Sequence, residues 1–288
     1  MGRRLAPVWL LCSLTCGLAH AGSAVWSIRG AHNTVYLAGS VHVLKQSDAE
    51  LPAAFDKAYS ASQTLVMELD MDQADPLAAQ QFIAENGMLE GDKTLRDIVG
   101  EARYKRVAAE AEKLGLPIEA LQQFEPWTVA LTITELEVAK MGFDPEAGVE
   151  KQLARRANSD HKEMRGLETL DEQLSLLHGL SYEDQSRFLE MTIDESAQAQ
   201  SETEAMVRAW RAGDAPQLEN LLLHEYREYP TVFRALVSDR NRKWTPQLVA
   251  MLHGDHDYFV VVGALHLVGP NGLVAMLRER GYAPAALP

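Results

Sequence analysis

The sequence predicts an α/β protein: a central mixed, mainly parallel sheet built from both ends of the chain, carrying a large all-helical insertion. Three observations predict this. Tyr258 to Val262 is an unbroken apolar run, the pattern of a strand buried on both faces. Thr34 to Gly39, near the other end, has the same form, and both runs stop at a glycine with a histidine three residues on: Gly39 and His42, Gly263 and His266. Between about 75 and 253 the pattern is helical, interrupted by one short strand near 162–168.

The elements follow in chain order. Residues 1–21 read as a signal peptide: Arg3 and Arg4 are followed by the apolar stretch Leu5 to Leu18 and the small-x-small sequence Ala19-His20-Ala21, placing cleavage near Ala21. Residues 22–288 then form a single domain, with the sheet core at about 22–74 and 254–288. Val25 to Ile28 and Thr34 to Gly39 flank a turn at Arg29-Gly30 and Asn33, which predicts a hairpin. A helix over Glu50 to Ser60, with Asp48 as its cap, leads to a strand over Gln63 to Leu69. A right-handed βαβ crossover makes the two strands parallel and sets Glu68 at the same rim as His42.

Helices follow over Asp75 to Gly87, Glu101 to Leu114, Pro126 to Met141 and Gly148 to Ala157, bounded by proline starts and glycine stops. Lys162 to Glu168 is the short strand, and Asp171 to His178 starts a new helix. The amphipathic stretch Ser181 to Ala212 and the segments Leu218 to Tyr226 and Thr231 to Val237 continue the helical run. Asp239 to Trp244 is a dense polar knot, with a helix from Pro246 to His253. Asn271 to Arg280 closes the chain, with Gly281 as its stop.

Composition narrows the function. The formal net charge is −14, and loss of Arg3 and Arg4 makes the mature chain two charges more negative. That argues against nucleic acid and against an anionic membrane surface as partners. The two cysteines, Cys12 and Cys16, both lie in the signal segment, so the mature chain has no disulfide, no thiolate metal ligand and no thiol nucleophile. The predicted location is the periplasm or the exterior, with no membrane role beyond export.

In open α/β sheets, ligands bind beyond the carboxyl ends of the strands. His42, Glu68 and His266 are expected to meet there, with Glu168 as a fourth candidate at the end of its own strand. Two neutral imidazoles and a carboxylate converging beside a water position are what a catalytic divalent metal needs. Gly39 and Gly263 would let the backbone approach a ligand closely. The ordinary readings stand beside this one. A single Gly-x-x-His is commonly a capped turn, Glu68 could be a solvated strand end, and Glu168-Thr169 could be a helix start. Arg240 and Asn241 fit a helix–helix polar contact as well as a site. His161, His178, His224, His253 and His256 show no convincing ligand context. Ser40 beside His42 lacks the strained elbow of a serine hydrolase, and no H-E-x-x-H or P-loop is present.

Taken together, Leu37-Ala-Gly-Ser-Val-His42, Val66-Met-Glu-Leu-Asp70, Gly166-Leu-Glu-Thr169, Arg240-Asn241 with Trp244, and Val262-Gly-Ala-Leu-His266 running on to Gly272 resemble the TraB/PrgY/GumN/TIKI family, and the C-terminal segment resembles its GumN-type bacterial members. The resemblance spans nearly the whole mature chain. It implies a fold similar to the erythromycin-esterase/ChaN-like group, with the two Gly-x-x-His motifs and the early glutamate on His42, His266 and Glu68. The animal TIKI members are metal-dependent proteases favouring manganese or cobalt. The resemblance therefore implies a divalent metal ion, manganese or cobalt by analogy and zinc by the donor types. It also implies a peptide or protein substrate, and raises Glu168, Arg240 and Asn241 to site candidates. Two functions follow as expectations: a secreted or periplasmic metal-dependent hydrolase of the peptidase kind, or a non-catalytic module holding a metal, haem or peptide at the same rim.

Overall fold

A computed structural model describes residues 24–73, 75–195 and 199–287. The signal-peptide expectation for 1–21 lies outside these residues. The chain runs β1 (Val25–Arg29), β2 (Thr34–Ser40), α1 (Ala53–Ala61), β3 (Thr64–Leu69), α2 (Pro76–Asn86), α3 (Leu95–Lys113), α4 (Pro126–Lys140), α5 (Val149–Asp160), β4 (Glu163–Glu168), α6 (Leu170–His178), α7 (Tyr182–Glu195), α8 (Ala199–Ala212), α9 (Ala215–His224), α10 (Pro230–Phe233), α11 (Asp239–Leu252), β5 (Tyr258–Gly263), α12 (Leu273–Glu279) and β6 (Ala285–Ala286). No helix among the described residues is long and apolar enough to cross a membrane.

The strands form one sheet in the order β4-β3-β5-β2-β1-β6. β4, β3, β5 and β2 are parallel, whereas β1 runs against β2 and β6 against β1. The sheet is thus mixed and mainly parallel, as its apolar runs predict. β5 sits between β3 and β2, which brings Gly263 alongside Ser40. The short strand of the insertion, β4, completes one edge.

Strand residues alternate between two helical layers, because successive side chains leave a strand on opposite faces. Ala38, Leu65, Met67, Phe259 and Val261 pack with Phe55 of α1, Leu153 of α5 and Trp210 of α8. Leu37, Val66, Val260 and Val262 pack with Trp244 and Leu248 of α11 and Leu273 and Leu277 of α12. Full burial of a side chain such as Phe259 contributes about 1.5–3 kcal/mol. The alternation also fixes a functional side chain: Glu68 follows Val66 by two residues, so it leaves β3 on the side where α11 lies. The helices α3, α4 and α7 build their own core around Val107, Ile133 and Leu189.

Several boundaries differ from expectation. The third long helix starts at Leu95, not at Glu101, because Thr94 and Asp97 form a capping box; Gly100, at φ 79°, kinks it. The helix after β2 is not capped by Asp48 but starts after Pro52. The helix expected from Pro246 starts earlier: α11 runs through the polar knot at Asp239–Trp244 and past Pro246.

Candidate active site at the carboxyl rim

The parallel strands end together, so their last residues share one rim. β3 delivers Glu68, β4 delivers Glu168, the turn after β2 carries His42 and the turn after β5 carries His266. α11 lies over this rim and supplies the adjacent Arg240 and Asn241, with Trp244 about one helical turn further on, all buried. A π-helical segment, Arg234–Ser238, precedes α11, and the Arg240 Nη1 donates to the carbonyl of Leu236 in it at 3.1 Å. Such widened turns recur at functional sites.

Arg240 is the hub. Its Nη2 donates to Glu68 Oε2 at 2.5 Å and to Glu168 Oε1 at 2.7 Å. Its Nη1 donates to His266 Nε2 at 3.0 Å, and its plane lies 4.5 Å from the Trp244 ring. Gln173 of α6 donates to Glu168 Oε1 at 3.2 Å and to Glu68 Oε2 at 3.4 Å. The other Glu68 oxygen accepts the Gly263 N–H at 2.7 Å and lies 3.8 Å from His266 Nε2.

The two histidines are held in the same way from opposite sides. Asn241 Oδ1 lies 2.8 Å from His266 Nδ1, while the Asn241 Nδ2 donates to the carbonyls of His266 at 3.1 Å and Asn271 at 2.8 Å. With its amide so oriented, Asn241 accepts the proton of His266 Nδ1 and leaves the Nε2 lone pair turned inward. His42 Nδ1 lies 2.8 Å from Glu150 Oε1, which also accepts the Ser40 hydroxyl. The free Nε2 of His42 faces Gly263. A Cβ on Gly263 would stand 3.3 Å from both His42 Nε2 and Glu68 Oε1, and 3.6 Å from His266 Cδ2. Gly263 has φ −50°, which any residue adopts, so its lack of a side chain matters here for room and not for backbone freedom. Gly39 serves the same end, since its Cβ would press on the Ala264 backbone at 3.0 Å.

Charge follows from these contacts. Burial alone would raise the Glu68 carboxyl, but His266, Arg240, His42 and the Gly263 N–H overcome it and bring its pKa to about 2. Burial pushes His266 down to about 3 against the pull of Glu68, with Arg240 and His42 adding to the fall. His266 is therefore neutral at pH 7, and Arg240 and His42 carry the attraction on Glu68 there. Glu150 is the main cause that lifts His42 to about 9, against burial; the ring is 66% exposed, and solvent screening trims this rise. Burial raises Glu168, with Arg240 opposing and Glu68 reinforcing. One rim thus holds an ionised carboxylate beside a second carboxyl whose proton is held more tightly, an arrangement suited to dividing acid and base roles.

The site opens to solvent at His42. A groove of about 630 Å³ runs along β4 and the first turn of α6 and touches Glu168.

All of the sequence candidates, His42, Glu68, Glu168, Arg240, Asn241, His266 and the two glycines, meet at this rim. Glu150 and Gln173 were not singled out. Both come from early turns of helices, where acidic and amide residues are ordinary, and nothing in the local sequence marks them. His178, read as lacking a carboxylate, has Glu125 Oε2 at 3.3 Å, away from the rim.

Among the described residues, no group of three or more His, Asp or Glu side chains is close enough to hold a metal ion as placed. The donor chemistry nonetheless fits a divalent cation: a carboxylate and two imidazoles, each with its Nδ1 taken by a fixed partner, as metal-binding histidines require. The Nε2 lone pair of His266 is open to an ion only if Arg240 gives it up.

The TraB/PrgY/gumN family profile matches residues 24–286, and the chain belongs to that family. It is 25% identical to the uncharacterised protein YbaP of Escherichia coli over 84% of this chain and 87% of that one. It is 24% identical to metalloprotease TIKI2 of Xenopus tropicalis over 94% of this chain and 61% of that one. With human metalloprotease TIKI1 it shares 23% identity over 99% of this chain and 67% of that one. No solved structure matches the chain.

Proposed function

We propose that the chain is an exported hydrolase of peptide bonds whose rim takes up one divalent metal ion. The observation that carries the reading is the meeting of His42 Nε2, Glu68 Oε1 and the His266 ring over Gly263. Relatives named metalloproteases, at 23–24% identity, support it. The export part rests on the predicted signal sequence.

His42, Glu68 and His266 would hold the ion, which supplies Lewis-acid polarisation of a carbonyl and a water of lowered pKa. The chain's own groups do the rest. Asn241 and Glu150 fix the imidazoles. Glu168, whose pKa is raised, would take the proton of the attacking water and pass it to the leaving amine nitrogen as the C–N bond breaks. Arg240 stays on the two glutamates and offers the one N–H released from His266 to a developing oxyanion. The groove beside β4 offers room for a substrate chain leading to Glu168.

The test is a peptidase assay of residues 22–288 after chelation and after add-back of manganese, cobalt or zinc. The reading predicts loss and metal-specific recovery, and a loss of at least about 100-fold in His42→Ala. Unchanged turnover after chelation, or full metal-dependent turnover in His42→Ala, contradicts it. Saturable metal or peptide uptake without turnover across a broad peptide set would instead identify a binding module.

A further inference from the structure

We infer that Glu150 is a positioning residue for His42: it takes the Nδ1 side of the ring so that only Nε2 faces Glu68 and the Gly263 turn. The inference rests on the site proposed above but adds a residue from a distant part of the chain.

Gly148, Val149 and Glu150 clamp the start of α5 to the end of β2 and the turn after it. Glu150 Oε1 lies 2.8 Å from His42 Nδ1 and accepts the Ser40 hydroxyl on the same oxygen. The Val149 N–H donates to the carbonyl of Val41 at 3.1 Å. Gly148 packs so closely that a Cβ there would stand 2.0 Å from the His42 carbonyl oxygen, an overlap no side chain could take. The backbone of the 40–42 turn is therefore already fixed without Glu150, by Gly148 and Val149.

That separation is what makes the glutamate informative. The His42 ring is mostly exposed, and an exposed imidazole on a fixed backbone still rotates and exchanges its tautomers. Glu150 is 13% exposed and sits in the first turn of a twelve-residue helix, where the dipole favours a negative charge. Ser40 fixes the carboxylate in turn. The chain Ser40–Glu150–His42 thus orients one ring whose other nitrogen points at Glu68, as Asn241 does for His266. A carboxylate behind a histidine raises its basicity as a ligand and sets which nitrogen is presented.

The experiment uses residues 22–288 and manganese(II) as the probe. Calorimetric titration of wild type, Glu150→Ala, Glu150→Gln and Ser40→Ala is paired with ¹⁵N-histidine NMR of the metal-free proteins. We expect Glu150→Ala to weaken manganese binding 10–100-fold and to abolish the hydrogen-bonded Nδ1 proton resonance of His42, assigned with His42→Ala. Glu150→Gln keeps an acceptor oxygen and should lose less; Ser40→Ala should lose least. If Glu150→Ala does not fold, Glu150→Gln decides. An unchanged His42 Nδ1 resonance, or manganese affinity within twofold of wild type in a folded Glu150→Ala, overturns the inference. If wild type takes up no manganese, manganese is not the ion of this site, and the Nδ1 resonance alone decides the role of Glu150.

Discussion

Arg240 is one cation against two buried carboxylates, and the strongest prediction at the residue scale concerns it. Removing one partner of a buried ion pair leaves the others without compensation and costs about 3–5 kcal/mol. Arg240→Ala should lose stability of that order in urea unfolding; a loss under about 1 kcal/mol would show that the network is solvated and not buried. Gly263 is a gentler probe. A methyl there would meet His42 Nε2 and Glu68 Oε1 at 3.3 Å, so Gly263→Ala should fold with a cost of about 1–2 kcal/mol. It should nonetheless lower activity or metal uptake by more than about tenfold, because small displacements at a reacting centre are costly. Wild-type turnover in Gly263→Ala would remove the reason given for that glycine. His42, Glu68 and His266 were legible because each interrupts or follows an apolar strand, where a polar residue stands out. Glu150 stayed hidden because a glutamate in the first turn of a helix is commonplace.

At the scale of elements, α11 shows why part of the fold was not legible. Its buried positions include Arg240, Asn241, Trp244, Thr245, Leu248 and Leu252, a helical spacing in which the inward face is polar at one end. A search for apolar periodicity passes over that polar end and starts the helix at Pro246. The proline is tolerated inside the helix because the carbonyl it leaves unpaired is that of Arg242, an exposed residue. β4 was easier to find than its place: Glu163 and Arg165 are exposed because it is an edge strand, and the pairing partner is not written in its own residues. The helical insertion also reaches the rim. Trp210 of α8 donates its indole N–H to the carbonyl of Gly39 at 2.6 Å, deep in the core. Trp210→Phe should cost about 1–3 kcal/mol by leaving that carbonyl without a partner. A cost near zero in thermal unfolding would mean that water replaces the indole.

For the whole molecule, adjacent parallel strands from the two ends of the chain meet at the charged rim, so its titration should be visible in global stability. His266 falls from 6.5 to about 3 and Glu68 from 4.5 to about 2 on folding. In both cases the unfolded chain binds the proton more readily, so stability is present at higher pH and is lost as pH falls from about 6.5 towards 2. His42 has the opposite sign. Its rise from 6.5 to about 9 gives stability that is complete below 6.5 and lost as pH climbs towards 9. Urea unfolding across this range should peak near pH 6.5. His266→Gln should flatten the acid limb and His42→Gln the alkaline limb. Identical profiles in the variants would show that the rim does not contribute these limbs.

The most direct single measurement is a calorimetric titration of residues 22–288 with manganese(II), cobalt(II) and zinc(II), run side by side with His266→Ala. The account predicts one divalent ion per wild-type chain for at least one of these metals, and no such binding in a folded His266→Ala. Equal stoichiometry and affinity in the two proteins would contradict it, because the ion would then lie somewhere other than the strand ends where His42, Glu68 and His266 meet.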